Sequence, residues 1–227
     1  MKKNIIILLV VVLLTTIATG CANKKDKEKS KEFKDEYESL NGKKNSAEKE
    51  HRTISIAEDN PYEKVSQKKI VEMIDSKETF YLYVGDSLCP WCRSVLEKSI
   101  EVAKEKNIKK IYYVDIWDDE GNEIFRDKYE IKDGNLEKVK DGTKEYHRLL
   151  KEFDRVLSDY TLTDEDGNKV EIGEKRIFAP NFFYVKNGKV KTMITGISTK
   201  QKDSREKLTK DILNDEKHQF NKLFSEK

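Results

Sequence analysis

The chain has 227 residues, 39% of them charged, yet 45 Lys and Arg are nearly balanced by 43 Asp and Glu, leaving a net charge of +2. That balance excludes the one-sided basic field with which proteins hold nucleic acid, so no nucleic-acid partner is expected; the charge reads as a heavily solvated surface. The length suits one ordinary domain with additions.

In chain order, the first element is an export signal over residues 1–20. Lys2 and Lys3 supply a positive start, Ile5 to Leu14 is an unbroken apolar run, and small and polar residues lead to Ala18-Thr19-Gly20-Cys21. The apolar stretch ending at Ile17 is shorter than the roughly 20 residues a membrane-spanning helix needs. A cysteine directly after Gly20 resembles the lipobox of bacterial lipoproteins, with Ala18 where Leu is usual. The resemblance implies that Cys21 is acylated, which gives a lipid-anchored protein of the cell membrane, facing the extracytoplasmic side. Residues 21–52 are rich in Lys, Glu, Asp, Ser and Asn and read as a charged tether, at most transiently helical over Glu28–Leu40.

The folded domain is expected over 53–227. Ile54 and Ile56 alternate with polar residues and predict a short strand, broken at Asn60-Pro61. Ser66 is a good N-cap for a helix whose face carries Ile70, Met73 and Ile74. Thr79 to Val84 reads as a central buried strand, and a second helix follows, with Val95, Leu96, Ile100 and Ala103 at helical spacing. With a strand over Ile108 to Ile116 this is a βαβ unit, which requires parallel strands. A less regular insertion over about 118–176 is expected to be mostly helical. Its clearest element is a helix from about Thr143 to Asp159, ahead of a hairpin turning at Asp164–Gly167. A hairpin through Asn187-Gly188 joins Asn181–Val185 to Val190–Ile197, and an amphipathic helix from about Ser204 closes the chain.

Chemistry concentrates in Cys89-Pro90-Trp91-Cys92. Of the three cysteines, two remain if Cys21 carries lipid, and an exported pair is able to oxidise. At a helix start, Cys89 faces unpaired backbone N–H groups that favour the thiolate, the attacking species. Pro90 suits the first helical turn because it lacks an N–H that would go unpaired anyway. One turn later, Cys92 is near the Cys89 sulfur but more covered, so Cys89 is the nucleophile and Cys92 resolves the mixed disulfide. A structural zinc site would need about four ligands. No second cysteine pair exists, and His51, His147 and His218 show no ligand spacing, so neither metal nor cofactor is expected. An inert structural disulfide is the other reading of the pair; closing so short a loop brings little chain-entropy benefit.

From about Thr53 onward the chain resembles the thioredoxin superfamily, on YLYVGDSLCPWC, IFAPNFFYVKNGKV, Gly196 after the last strand, and the closing helix. Around the CxxC, VGDSLCPWCRSVLEK is most similar to thioredoxin-like bacteriocin transport accessory proteins. The resemblance implies an α/β thioredoxin-like fold, β-α-β-α-β then β-β-α, with Pro180 cis and Ala179-Pro180 beside the CxxC, presenting backbone to a client peptide. It also implies substrate-binding roles for Trp91, Ala179, Pro180 and Gly196. Trp91 has the alternative of packing down onto the domain, and Trp117 reads as packing. Tyr83 stands where many thioredoxins carry a buried Asp, and Asp86 is expected in the loop. Proline-first dipeptides resemble those of less reducing family members, at roughly −230 to −120 mV against about −270 mV.

The function so implied is thiol–disulfide exchange with extracytoplasmic protein or peptide clients, with a membrane electron-transfer partner able to set the redox state of the pair. The alternative is a weakly catalytic, peptide-binding accessory protein in peptide export or maturation. The insertion is either decoration of the sheet edge or a cap over Cys89.

Overall fold

The computed structural model describes residues 26–118 and 122–226. Residues 1–20, read above as an export signal, and Cys21 lie outside the described residues, and among the described residues no helix is long and apolar enough to cross a membrane.

The strands best supplied with β-branched and aromatic residues form the centre of a mixed five-stranded sheet. Its members are β1 (Tyr62–Lys64), β2 (Phe80–Gly85), β3 (Ile111–Asp115), β8 (Asn181–Lys186) and β9 (Lys189–Ile194), in the order β1-β3-β2-β8-β9. β1 and β2 flank β3 in parallel, whereas β8 runs antiparallel to β2 and β9 antiparallel to β8. Two parallel neighbours require crossovers, and helices supply them on both faces. The first face carries α1 (26–38), α3 (Pro90–Glu105) and α5 (Lys210–Leu223); Phe33, Tyr37, Val95, Leu96, Phe182, Phe220 and Leu223 share one core there. The second face carries α2 (Gln67–Asp75) and α4 (Lys144–Phe153), through Ile70, Met73, Leu149 and Phe153 with Leu82 and Phe183.

The cap expected at Ser66 forms, and Thr143 and Thr209 cap two further helices. Ser66 accepts from the Lys69 N–H at 3.2 Å, Thr143 from Tyr146 at 3.0 Å and Thr209 from Ile212 at 3.4 Å. Asn187 and Gly188 take φ of 52° and 70°, the positive values a two-residue hairpin turn requires.

Four expectations are corrected. First, the charged segment ahead of Thr53 is not a free tether from residue 26 on. Ser30, Phe33 and Tyr37 recur at helical spacing and are buried, so a helix with few apolar residues still docks. Second, Ile54 and Ile56 are buried but form no strand. Their backbone bonds go to side chains instead: Asn41 both accepts from Ile54 N (3.1 Å) and donates to its carbonyl (2.8 Å), while Glu38 accepts from Ile56 N (2.6 Å). Third, the insertion is not mostly helical. It holds two two-stranded ribbons, β4 (Lys128–Lys132) with β5 (Asn135–Lys140) and β6 (Ser158–Thr163) with β7 (Lys169–Arg176). The helix between them stops at Phe153, short of Asp159, since a single 3₁₀ turn at Asp154–Val156 leads straight into β6. Fourth, the closing helix starts at Lys210 rather than near Ser204, because Thr209 is its cap.

Candidate active site

The loop between β2 and α3 carries the cysteines. Cys89 is the N-cap of α3, with extended backbone (φ −68°, ψ 117°), and Pro90 occupies the first turn. The Cys92 N–H donates to the Cys89 sulfur at 3.3 Å, the bond a Ser or Asp oxygen accepts at an ordinary N-cap. Cys89 is half-buried and Cys92 fully buried, and both are thiols.

These environments push the two thiols apart. Cys89 is drawn below its ordinary value, first by a hydrogen bond from the Cys92 thiol and then by the backbone N–H groups of Cys92 and Trp91, against burial and the nearby Asp86. Burial pushes Cys92 far above its ordinary value, and donating to Cys89 pushes it further. Cys89 is therefore the sulfur that ionises first.

Opposite, the Ala179–Pro180 peptide is cis, and the Cys89 thiol donates to the Ala179 carbonyl at 3.4 Å. Pro180 is buried and Ala179 half-buried. Asn181 ties this corner together, its Oδ1 accepting from Phe178 N at 2.7 Å and its Nδ2 donating to the Pro180 carbonyl at 2.9 Å. Around Cys89, Leu88 is 46% exposed, and Pro90 and Trp91 are half-buried. Gly196, after β9, has φ 75°, and a Cβ there would lie 2.5 Å from the Phe220 ring. That steric fit accounts for the glycine by packing against α5, with no client needed. Trp117 packs against the second-face core, as expected.

Three residues gain roles that sequence patterns did not assign. Asp86 lies in the loop, as expected, but is buried; its Oδ1 accepts from the Cys89 N–H at 2.7 Å. Burial raises its carboxyl to about 6, partly countered by that bond. Arg93, also buried, donates to the carbonyls of Arg52 (2.6 and 2.8 Å), Tyr37 (2.8 Å) and Ser87 (3.2 Å) and to Asn41 Oδ1 (2.8 Å), so one guanidinium joins α3, the segment after α1 and the cysteine loop. Tyr83, fully buried on β2, shares a core with Cys92 and hydrogen-bonds through its hydroxyl to that of Tyr37 at 2.8 Å. His147, exposed on α4, pairs through Nε2 with buried Asp127 at 2.9 Å, within the insertion.

Asp86, Cys89 and Cys92 also bring one carboxylate oxygen and two sulfurs within 4.8 Å of one another. Three donors are one fewer than the tetrahedral set of a structural zinc site, and here the carboxylate is already engaged by the Cys89 N–H. What the arrangement offers chemically is a half-buried thiol shifted down, a covered thiol shifted up one turn away, and a carboxyl within 4.8 Å of both able to hold a proton. No protein-family model and no curated protein matches the chain.

Proposed function

We propose that the protein is a thiol–disulfide oxidoreductase with a thioredoxin-like fold, acting on protein or peptide clients through Cys89 and Cys92. The observation that carries this reading is the opposite shift of two thiols one helical turn apart: Cys89 low and reachable, Cys92 high and covered. The strand order β1-β3-β2-β8-β9 and the cis Ala179–Pro180 peptide facing Cys89 support the fold assignment.

In the reductive direction, the Cys89 thiolate attacks one sulfur of a client disulfide. The client S–S bond breaks, a Cys89–client mixed disulfide forms, and the second client sulfur leaves as a thiolate. Cys92 then gives up its proton, which Asp86 is placed to accept, and its sulfur attacks Cys89. The Cys89–Cys92 disulfide forms, the first client sulfur leaves as a thiolate, and the client has gained the two electrons the pair has lost. An extracytoplasmic redox partner returns the pair to its starting state. Oxidation of clients is the same sequence reversed. Exposed Leu88 and half-buried Trp91 supply apolar surface beside the reacting sulfur, and the Ala179 backbone lies across from it.

The sequence features of residues 1–21 support attachment of this domain to the outer face of the membrane through acylated Cys21.

The test is disulfide reduction of a model protein substrate by wild type and by Cys89→Ser, with Cys92→Ser as a trap. Wild type is expected to turn over, Cys89→Ser to be inactive, and Cys92→Ser to accumulate client adducts that a reductant releases. Equal activity in wild type and Cys89→Ser, or no adduct with Cys92→Ser, contradicts the assignment.

A further inference from the structure

We propose that the end of the sheet opposite the cysteine loop docks on anionic lipid headgroups through Lys77, Lys186, Lys189 and Lys191, so that Cys89 points away from the membrane. The inference rests on the attachment through acylated Cys21 read above, and deepens it by fixing which end of the domain meets the bilayer.

Chain direction sorts the two ends. β1, β2 and β3 run in parallel, so they share a starting end and a finishing end. Gly85 finishes β2, and the cysteine loop follows it. The Asn187-Gly188 turn sits at the starting end. There the Gly188 N–H donates to the Glu78 carbonyl at 2.9 Å and the Asn187 N–H to Thr79 Oγ1 at 3.1 Å. Lys77, just past α2, closes the corner, since a Cβ added at Gly188 would lie 3.1 Å from the Lys77 Cα. The length of β2, roughly 20 Å, separates this corner from the cysteine loop.

α1 brings the anchor to the same end. It begins at Asp26, which pairs with Lys110, just ahead of β3, at 3.3 Å. It finishes near Tyr37, whose carbonyl accepts from the same Arg93 nitrogen as the carbonyl of Ser87 in the cysteine loop. The helix therefore runs from the starting end to the cysteine loop, about 20 Å at its usual rise. Five chain steps join Cys21 to Asp26, and no conformation spans more than about 18 Å with them. An acylated Cys21 thus holds the starting end near the bilayer, with the cysteine loop a helix length beyond it.

What faces the bilayer there is basic. Lys77, Lys186, Lys189 and Lys191 line one cleft in which Glu226 is the single carboxylate. Glu78 adjoins Lys77, which leaves the lysines in excess. Lys77, Lys189 and Lys191 are exposed and form no ion pair among the described residues. Lys186 and Lys189 stand directly opposite each other in the β8–β9 ladder, where like charges repel. An anionic lipid surface offsets that repulsion, and it acts on charges within about a Debye length, roughly 8 Å. Lys24 and Lys25, in the segment that joins Cys21 to α1, add charge of the same sign. Held so, Cys89 opens to the aqueous phase, and its clients are proteins or peptides in solution rather than segments embedded in the bilayer.

The experiment places the acylated, reduced protein on vesicles of phosphatidylglycerol and phosphatidylcholine in equal parts, and on phosphatidylcholine alone. Lysines are acetylated and located by mass. Exposed Lys68 and Lys144, at the cysteine end where Thr143 bonds Gln67 at 2.7 Å, serve as the reference. On the anionic vesicles, acetylation of Lys77, Lys189 and Lys191 is expected to slow by about fivefold or more against that reference, since each lysine near an anionic surface favours it by about that factor. Added salt restores the rate, phosphatidylcholine alone gives no slowing, and alkylation of Cys89 keeps its rate throughout. Equal slowing on both vesicles, slowing at Lys68 and Lys144 instead, or slower alkylation of Cys89 on the vesicles overturns the proposal. Slowing that appears in detergent, without vesicles, as the protein is concentrated assigns the corner to a second copy and overturns it as well. A mature protein whose mass carries no acyl group on Cys21 sinks the attachment reading and the proposal with it, a failure the mass alone distinguishes.

Discussion

At the scale of residues, two effects oppose each other at Asp86. Burial favours its protonated form and lifts the carboxyl to about 6, while the Cys89 N–H favours the carboxylate. As pH rises through that value Asp86 ionises, becoming able to accept the Cys92 proton while working against a thiolate on Cys89. Asp86→Asn should therefore split the two thiols: the pH midpoint for Cys89 alkylation falls, and resolution by Cys92 slows and loses its dependence on pH near 6. Stopped-flow alkylation and mixed-disulfide kinetics measure the two separately, and a slower Cys89 with unchanged resolution would count against this role. Cys89, Cys92 and Pro180 were legible in the sequence because their chemistry lies in local spacing or in a motif. Asp86 was visible only as a loop residue. Its burial, like the bond of Tyr83 to Tyr37 and the five donations of Arg93, depends on partners far along the chain, which no local pattern encodes.

At the scale of elements, α1 shows how composition misleads. Its sequence is dominated by Lys, Asp and Glu, so a count of apolar residues predicts a tether; its fold depends on two aromatic rings at the right spacing. Phe33 stacks on Tyr62 at 4.4 Å and meets Tyr113 edge-on at 5.1 Å, and the polar face is absorbed by ion pairs such as Lys64–Glu36 at 2.9 Å. Phe33→Ala is expected to destabilise the domain by about 3–5 kcal/mol in chemical denaturation, as loss of a fully buried ring does. A change below about 1 kcal/mol, the level of an ordinary surface substitution, would mean that α1 is not docked. Arg93→Lys tests the joint between α1 and the cysteine loop, because a lysine cannot reproduce a fork of five donors. It should lower stability and also weaken protection of the Arg52 region against proteolysis. The βαβ core and the last hairpin were read with boundaries off by only a few residues, since periodicity and Asn-Gly are strong signals. The ribbons of the insertion were partly missed because β4 and β5 are largely polar and exposed, with no buried face to impose alternation.

At the scale of the whole molecule, the domain holds a buried titratable group away from the site as well. Glu216 on α5 is fully buried with both carboxylate oxygens unpartnered, facing Lys98, Arg52 and Asp215 without a direct bond. Burial raises its carboxyl from 4.5 to about 8, so the folded state holds this proton more tightly than the unfolded chain does. The stability so gained is fully present below about 4.5 and is lost as pH rises through about 8. Wild type should lose stability between about pH 4.5 and 8 in denaturant titrations, and Glu216→Gln should flatten the loss; an equally steep decline in the variant would assign it to other groups. The account as a whole depends on a difference between two sulfurs in the intact fold, and alkylation of the reduced protein across pH, with the modified cysteine identified by mass, measures it directly. Cys89 is expected to react first, with a midpoint below the ordinary thiol value of about 8.5, while Cys92 stays protected. Preferential modification of Cys92, or a Cys89 midpoint at or above that value, would contradict the account.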